Sequence, residues 1–349
     1  MTPRNLGIDF LRFVAIVLVI NSHMDAFYPI PQLGTGGALG NALFFMLSAF
    51  GLAQSQQRNP QDFSTYFKNR IIKIYPAIWI VTIVLITPLA LYYHFSNPSI
   101  LINFKTDFNW GGNLLNAFSI LFFPPPAFWF LQALMLYYII GYFYIYKFDD
   151  FVKKILLAVL LLAYSMLYIK NSNFNYLAIE QILEFKLIFY ILIFLFGIEL
   201  AKRPKHVNSN TWKDWIGLAV CMIIIYGHKL LMMQGWAGGW QFIQQLAIFP
   251  SVFFGIRLAN CNAINRIMQT PWVSKFIKLC ASMTLELYIV HGPIRELINP
   301  SSAGFPGNVV IYLPMVFLAA YVVRAINRSI TTRMLSRDVS KLARHINIP

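Results

Sequence analysis

An arginine and a histidine stand eleven positions apart in one apolar run, GIDFLRFVAIVLVINSHMD, as Arg12 and His23. Translocon scales give roughly 2.5–3.5 kcal/mol for a central Arg, Lys or Asp in hydrocarbon, so each polar group there requires a reason. On a helix, eleven residues make close to three turns and about 16 Å of rise, which puts both side chains on roughly one face. The run thus offers a fixed cation near one membrane surface and an imidazole in the opposite half. Asp9 is an i,i+3 neighbour of Arg12 and can pair with it; the less favoured alternative is that Arg12 snorkels from the end of the segment. A lone histidine is more often a satisfied core residue, but the register with Arg12 favours function. A second cluster, Phe67-Lys68-Asn69-Arg70-Ile71-Ile72-Lys73-Ile74-Tyr75-Pro76, leads into another apolar run. Its cations either anchor the chain at the inner surface or form a rim where phosphate groups bind as charge-assisted partners. The three cysteines, Cys221, Cys261 and Cys280, lack paired spacing, and the six histidines show no HxxxH or HxH. Neither a disulfide framework nor a metal site is expected.

Apolar helices must position these residues. Hydrophobic side chains make up 58% of the 349 residues and charged ones 12%, against ~25% charged in an ordinary soluble domain. Mean hydropathy is +0.59. Soluble enzyme, disordered protein and DNA-binding module are excluded as readings of the whole chain. With roughly 20 apolar residues per crossing, the composition has room for about ten spans. They are expected near 8–27, 36–54, 74–93, 128–146, 154–169, 185–201, 214–231, 241–258, 275–292 and 308–329. The first run is read as a retained anchor rather than a signal peptide, because Asp9 and Arg12 break its start and no small-x-small cleavage site closely follows Asn21.

The formal charge of +15 follows from basic cytoplasmic loops, not from nucleic acid. Lys and Arg concentrate after spans 2, 4, 6 and 8 and in the tail (Arg324, Arg328, Arg333, Arg337, Lys341, Arg344), whereas the alternate loops hold few. That alternation puts both termini in the cytoplasm. The longest outer loop, about 94–127, carries Pro98, Pro124, Pro125, Pro126 and Gly111-Gly112 and either covers an external site or serves as a connector. The expected fold class is all-α, a polytopic transmembrane bundle. The expected domain organisation is a single membrane-embedded domain over 1–349, with motifs within about 7–330 and a basic cytoplasmic tail at 331–349.

The motifs resemble those of the integral-membrane acyltransferase family 3. IDFLRFVAIVLVINSH resembles that family's opening helix, in which Arg is followed eleven positions later by His. Ala42-Leu43-Phe44-Phe45-Met46-Leu47-Ser48-Ala49-Phe50 resembles its FFxxSGF, with Ala49 in place of Gly. Arg70-Ile71-Ile72-Lys73-Ile74-Tyr75-Pro76 resembles RxxRIxP, with Lys73 in place of the second Arg. Phe128-Trp129-Phe130-Leu131 is similar to its WFL segment, and Phe194-Leu195-Phe196-Gly197 to its FxxG. Ser282 with Leu287-Tyr288-Ile289-Val290-His291-Gly292-Pro293 resembles the closing SxxLYLxHxP. The set runs in order from about residue 7 to 294. Lys73 keeps the charge but loses the bidentate fork of Arg; Ala49 adds a methyl at a tight helix contact.

The resemblance implies transfer of an acyl group, commonly acetyl, from cytoplasmic acyl-CoA to a hydroxyl of an exported or cell-surface carbohydrate, free or lipid-linked. The setting it implies is a bacterial cytoplasmic membrane. Arg70 and Lys73, with Arg12, would hold the coenzyme's nucleotide and phosphates. The pantetheine arm would run up the bundle to His23. There the imidazole, ordinarily near pKa 6.5, would act as general base or take the acyl group itself. Asp25 could orient His23 only if the helix ends between them, since i,i+2 side chains diverge; Pro29 favours such an end. Ser48 and Tyr288 are candidate oxyanion stabilisers. Glu199 and Glu286 are expected to be paired internally, and His291 is either a second functional histidine or an interface residue before a turn. Many members carry an esterase-like SGNH domain; this chain ends at Pro349, so such a partner is expected to be separate or unnecessary. The rival class is a multi-span transporter or flippase, against which no inverted repeat is visible; a non-catalytic sensor or scaffold fits the inward polar residues less well.

Overall fold

The computed structural model describes residues 5–89, 129–170, 182–202, 211–236, 238–298 and 304–346, with side chains described to 333. Every regular element among them is helical. The expected outer loop at 94–127 lies outside the described residues.

The chain divides into two compact units: Met1–Ser22, Thr35–Gln61 and Leu136–Ser282 form the first, and His23–Gly34, Asp62–Met135 and Met283–Pro349 the second. The first unit holds α1 (Leu6–Ser22), α2 (Gly37–Arg58), most of α4 (Trp129–Tyr146), α5 (Asp150–Lys170), α6 (Leu183–Lys202), α7 (Thr211–Met233), α8 (Gln241–Leu258), α9 (Asn262–Gln269) and α10 (Pro271–Ser282). The second holds α3 (Phe63–Val81), α11 (Thr284–Leu297) and α12 (Gly307–Ile346).

Six helices are long and apolar enough to cross a membrane, or seven if the bent pair α8–α9 counts as one crossing. Ten were expected from sequence. The elements behind the difference are identifiable. α1 has 17 residues and carries Asp9 and Arg12, and α6 carries Glu184, Lys186, Glu199 and Lys202. The run expected at 275–292 breaks at Met283 into α10 and α11. Conversely, α3 begins at Phe63, eleven residues before the expected span. Asp62 starts it there: its carboxylate accepts the Thr65 N–H at 3.0 Å, an N-cap. Lys68, Arg70 and Lys73 are therefore on the helix rather than on a loop that approaches it.

In the first unit, small residues let backbones approach, as in other membrane bundles. A Cβ on Gly7 would lie 2.0 Å from the Ala259 carbonyl oxygen, and one on Gly40 would lie 2.8 Å from that of Ala15. These contacts seat α1 against the α8–α9 bend and against α2. Between α2 and α6, a Cβ on Gly197 would meet the Met46 carbonyl oxygen at 2.7 Å and Ala49 Cβ at 3.0 Å. The extra methyl of Ala49 thus occupies space that Gly197 leaves empty. Buried aromatic rings fill the layer beside it: Phe45 packs on Tyr137 and Tyr190 at 5.0 and 5.1 Å between centroids. Both phenols find backbone acceptors, Leu187 for Tyr137 and Ala38 for Tyr190. Arg257 on α8 donates from Nε to the buried Asp214 of α7 at 2.9 Å.

Gly197→Ala should therefore destabilise the protein by about 1–3 kcal/mol, the usual cost of overpacking. Gly227→Ala on α7, where nothing lies within 4 Å of the added carbon, should be close to neutral. Adding Ala49→Gly should restore only part of the Gly197→Ala loss, because the Met46 carbonyl still blocks the site. Thermal unfolding of the detergent-purified variants measures all three. Equal stability of the two alanine variants would remove the close contact from the account.

In the second unit, α3 packs against α11 and α12, and α11 against α12. Past Val81, α3 continues as a π turn over Thr82–Ile86, where the Thr87 hydroxyl donates to the Thr82 carbonyl at 2.8 Å. α12 has 40 residues, about 60 Å at 1.5 Å per residue, twice what a bilayer crossing needs. Its first half exposes Val310, Ile311, Leu318 and Val322, side chains suited to lipid; its second half carries Arg324, Arg328 and Arg333.

Candidate active site

α1 stops at Ser22, and His23 sits on the turn that follows. The sequence expectation ran this helix to about residue 27, with His23 inside an apolar helical run. Two polar side chains end it early by taking backbone acceptors. The Ser22 hydroxyl donates back to the Val19 carbonyl at 2.7 Å, and Asn21 Nδ2 donates to the Thr35 carbonyl at 2.9 Å. His23 consequently keeps an accessible face.

The loop that follows is pinned at several points within the second unit. Phe27 is 1% exposed, and its ring lies 4.8 Å from that of Tyr312 on α12. Its backbone carbonyl accepts from Asn308 Nδ2 at 3.0 Å. Gly34 closes the loop: a Cβ there would stand 2.7 Å from the backbone of Asp25, a distance no side chain tolerates. Asp25 Oδ1 faces Arg295 Nη2 of α11 at 3.7 Å, with both side chains partly exposed. The helix end that an Asp25–His23 interaction requires is present, and the ion-pair partner of the carboxylate is Arg295.

α11 brings the second histidine to the first. The His23 and His291 rings meet edge to face, 4.9 Å between centroids at 77°. Unlike His23, His291 is buried, at 5% exposure. Its backbone carbonyl accepts the Tyr312 hydroxyl at 3.0 Å, next to Pro293, which cannot donate the helical N–H of its own position. Its Nδ1 has no hydrogen-bond partner among the described residues. Tyr288 packs its ring 5.5 Å from His291 and 4.9 Å from Phe130. His23, Asp25, Tyr288 and His291 therefore share one unit and one neighbourhood built around α11. The sequence alone leaves His291 even between function and interface, and Tyr312, Arg295 and Phe27 carry no sequence signal.

Of the other sequence-selected residues, Ser48 and Arg12 belong to the first unit and Arg70 and Lys73 to the second. Ser48 is half-buried on α2 of the first unit. Arg12 pairs with the buried Asp9 at 3.6 Å, the expected i,i+3 contact. Arg70 lies on α3 with its guanidinium carbon 5.3 Å above the Tyr66 ring, and Lys73, one turn on, lines a cavity with Glu286 and residues of α12. Both glutamates are paired as expected: Glu199 with Lys202 at 2.7 Å and Glu286 with Asn327 at 3.0 Å.

Chemically, the arrangement offers an accessible imidazole whose buried neighbour is a second imidazole held by its backbone. The exposed ring can accept a proton while the buried one packs against it. Among known families, the sequence profile described as an acyltransferase domain matches residues 5–325. No curated protein and no solved structure matches the chain.

Proposed function

Since the chain belongs to the acyltransferase domain family and is an integral membrane acyltransferase, we propose that it O-acylates a carbohydrate. The donor in this reading is cytoplasmic acyl-CoA, with acetyl as the acyl group. The acceptor is a hydroxyl of an exported or cell-surface glycan, free or lipid-linked, and the setting is a bacterial cytoplasmic membrane. Membership of an acyltransferase family favours this reading over a carrier, which would leave a thioester intact.

The observation that carries it is the contact between His23 and His291. As the acceptor hydroxyl attacks the thioester carbonyl, His23 removes its proton. The tetrahedral intermediate then expels the coenzyme thiolate, which takes the proton back, so one C–O bond replaces one C–S bond. General-base assistance of this kind needs an imidazole within hydrogen-bond reach of the hydroxyl, and the accessible face of His23 provides it. His291, buried behind it, fixes the ring. Tyr288 and Ser48 are proposed as donors to the oxyanion, Asp25 as an orienting group, and Arg12, Arg70 and Lys73 as partners of the coenzyme phosphates.

Purified protein reconstituted in lipid, given acetyl-labelled acetyl-CoA and a panel of glycans, tests the proposal. Free coenzyme thiol should appear in proportion to label on the glycan, and only when a suitable hydroxyl is present. Thioester that stays intact with every acceptor, while the protein moves a substrate across the bilayer, would transfer the assignment to transport.

A further inference from the structure

The second unit contains a cavity of about 310 Å³ lined by Lys73 of α3, Glu286 of α11 and Arg324, Asn327, Arg328 and Thr331 of α12. Positions 324, 327, 328 and 331 are spaced by three and four, so α12 stacks them on one face. Three of the lining side chains are already tied together. The Thr331 hydroxyl donates to Asn327 Oδ1 at 3.2 Å, and Asn327 Nδ2 donates to Glu286 Oε1 at 3.0 Å. Asn327 and Glu286 are 7% and 6% exposed, which makes this a built wall rather than a surface chain. Arg324 and Arg328 have no ion-pair or hydrogen-bond partner among the described residues. Cations that merely anchor a helix end extend toward headgroups and water. Arg324 is half-buried and Arg328 exposed, and both line a cavity with a lysine from another helix.

We propose that this cavity binds a phosphomonoester dianion. Three cations against one carboxylate leave a formal charge of +2 on the lining, the complement of a phosphomonoester, which carries between −1.5 and −2 near neutral pH. Two guanidiniums also supply the planar forks that match phosphate oxygens. Two sources present this chemistry at a membrane: the 3′-phosphate of coenzyme A and the headgroup of phosphatidic acid. The coenzyme assignment rests on the function proposed above and has a geometric argument behind it. α12 carries at one end Tyr312, which holds the His291 carbonyl, and Arg324 and Arg328 twelve and sixteen residues further on. That is about 18–24 Å of helix, of the order of an extended acyl-pantetheine arm. One helix thus spans the distance from nucleotide end to thioester end.

The full chain in nanodiscs of pure phosphatidylcholine, which offers no competing phosphomonoester, is titrated with acetyl-CoA, with its 3′-dephospho analogue and with phosphatidic acid. The parent should prefer acetyl-CoA over the dephospho form roughly 10-fold or more, the range expected for charge-assisted hydrogen bonds. Arg324→Ala and Arg328→Ala should each abolish most of that preference and leave dephospho binding nearly unchanged. Arg328→Lys, which keeps the charge and guards against a folding defect, should retain part of it. A parent without preference for either phosphomonoester, or arginine variants that lose both coenzyme forms equally, overturns the site. A parent that binds phosphatidic acid through Arg324 and Arg328 but ignores acetyl-CoA keeps the phosphomonoester site, and it is the donor assignment that fails.

Discussion

Alanine in place of His23 should lower acyl transfer by about 10²–10⁴-fold, the range of general acid–base catalysis, while acyl-CoA remains bound. The expectation rests on three features. His23 stands on a turn, where its ring has an accessible face. The turn is fastened by Phe27 against Tyr312 and by Gly34 against Asp25, so the ring is presented by a loop with little freedom. It also contacts a second imidazole. His23→Gln separates the possible roles, since it keeps approximate size and hydrogen bonding but has no titratable nitrogen. It should be nearly as inactive as alanine. Turnover is measured as thiol release with acceptor present, and binding by titration with acetyl-CoA. Near-parental turnover in His23→Ala would falsify the assignment and make the histidine a loop residue only.

What lies within one helix was legible in the sequence. The i,i+3 pair of Asp9 and Arg12 needs only helical periodicity and is present at 3.6 Å, whereas the eleven-residue register assumed a helix that in fact stops at Ser22, one residue short of His23. The helix end after Ser22 was half legible: Pro29 pointed to a break, but the capture of the Thr35 carbonyl by Asn21 reaches across a loop that no periodicity describes. The partners of His23 were not legible at all. His291 is 268 positions away, and Asn308 closes on Phe27 across 281. Contacts of that separation depend on tertiary packing alone. The α12 arginines show a different limit. Arg324 and Arg328 read as inner-surface anchors because a basic helix end looks the same whether its side chains meet lipid or line a cavity. Only the placement of Lys73 and Glu286 beside them separates the two. Ala49 shows the reverse: a departure from the family pattern became intelligible once Gly197 was seen facing it.

The second large effect is expected at His291. His291→Phe keeps an aromatic ring edge against His23 and Tyr288 and keeps the backbone carbonyl that Tyr312 holds, so the packing of α11 should survive. What disappears is the second titratable ring. If His291 acts through His23, its loss lets the His23 ring drift from the attacking hydroxyl, and misplacement on the ångström scale costs roughly 10²-fold. Acetyl-CoA titration should stay parental, because the coenzyme phosphates are assigned to other residues. The discriminating readout is the acid limb of kcat/KM against pH. Two imidazoles in contact titrate as a coupled pair whose macroscopic ionisations belong to both. A proton on either ring repels one on the other, so the parent's limb should spread over a wider pH range than one ionisation, and that of His291→Phe should follow a single ionisation. A merely structural histidine would lower the plateau and leave the shape of the limb alone. That result, with thermal stability reduced in step, would return His291 to the core of α11 and leave His23 as the lone base.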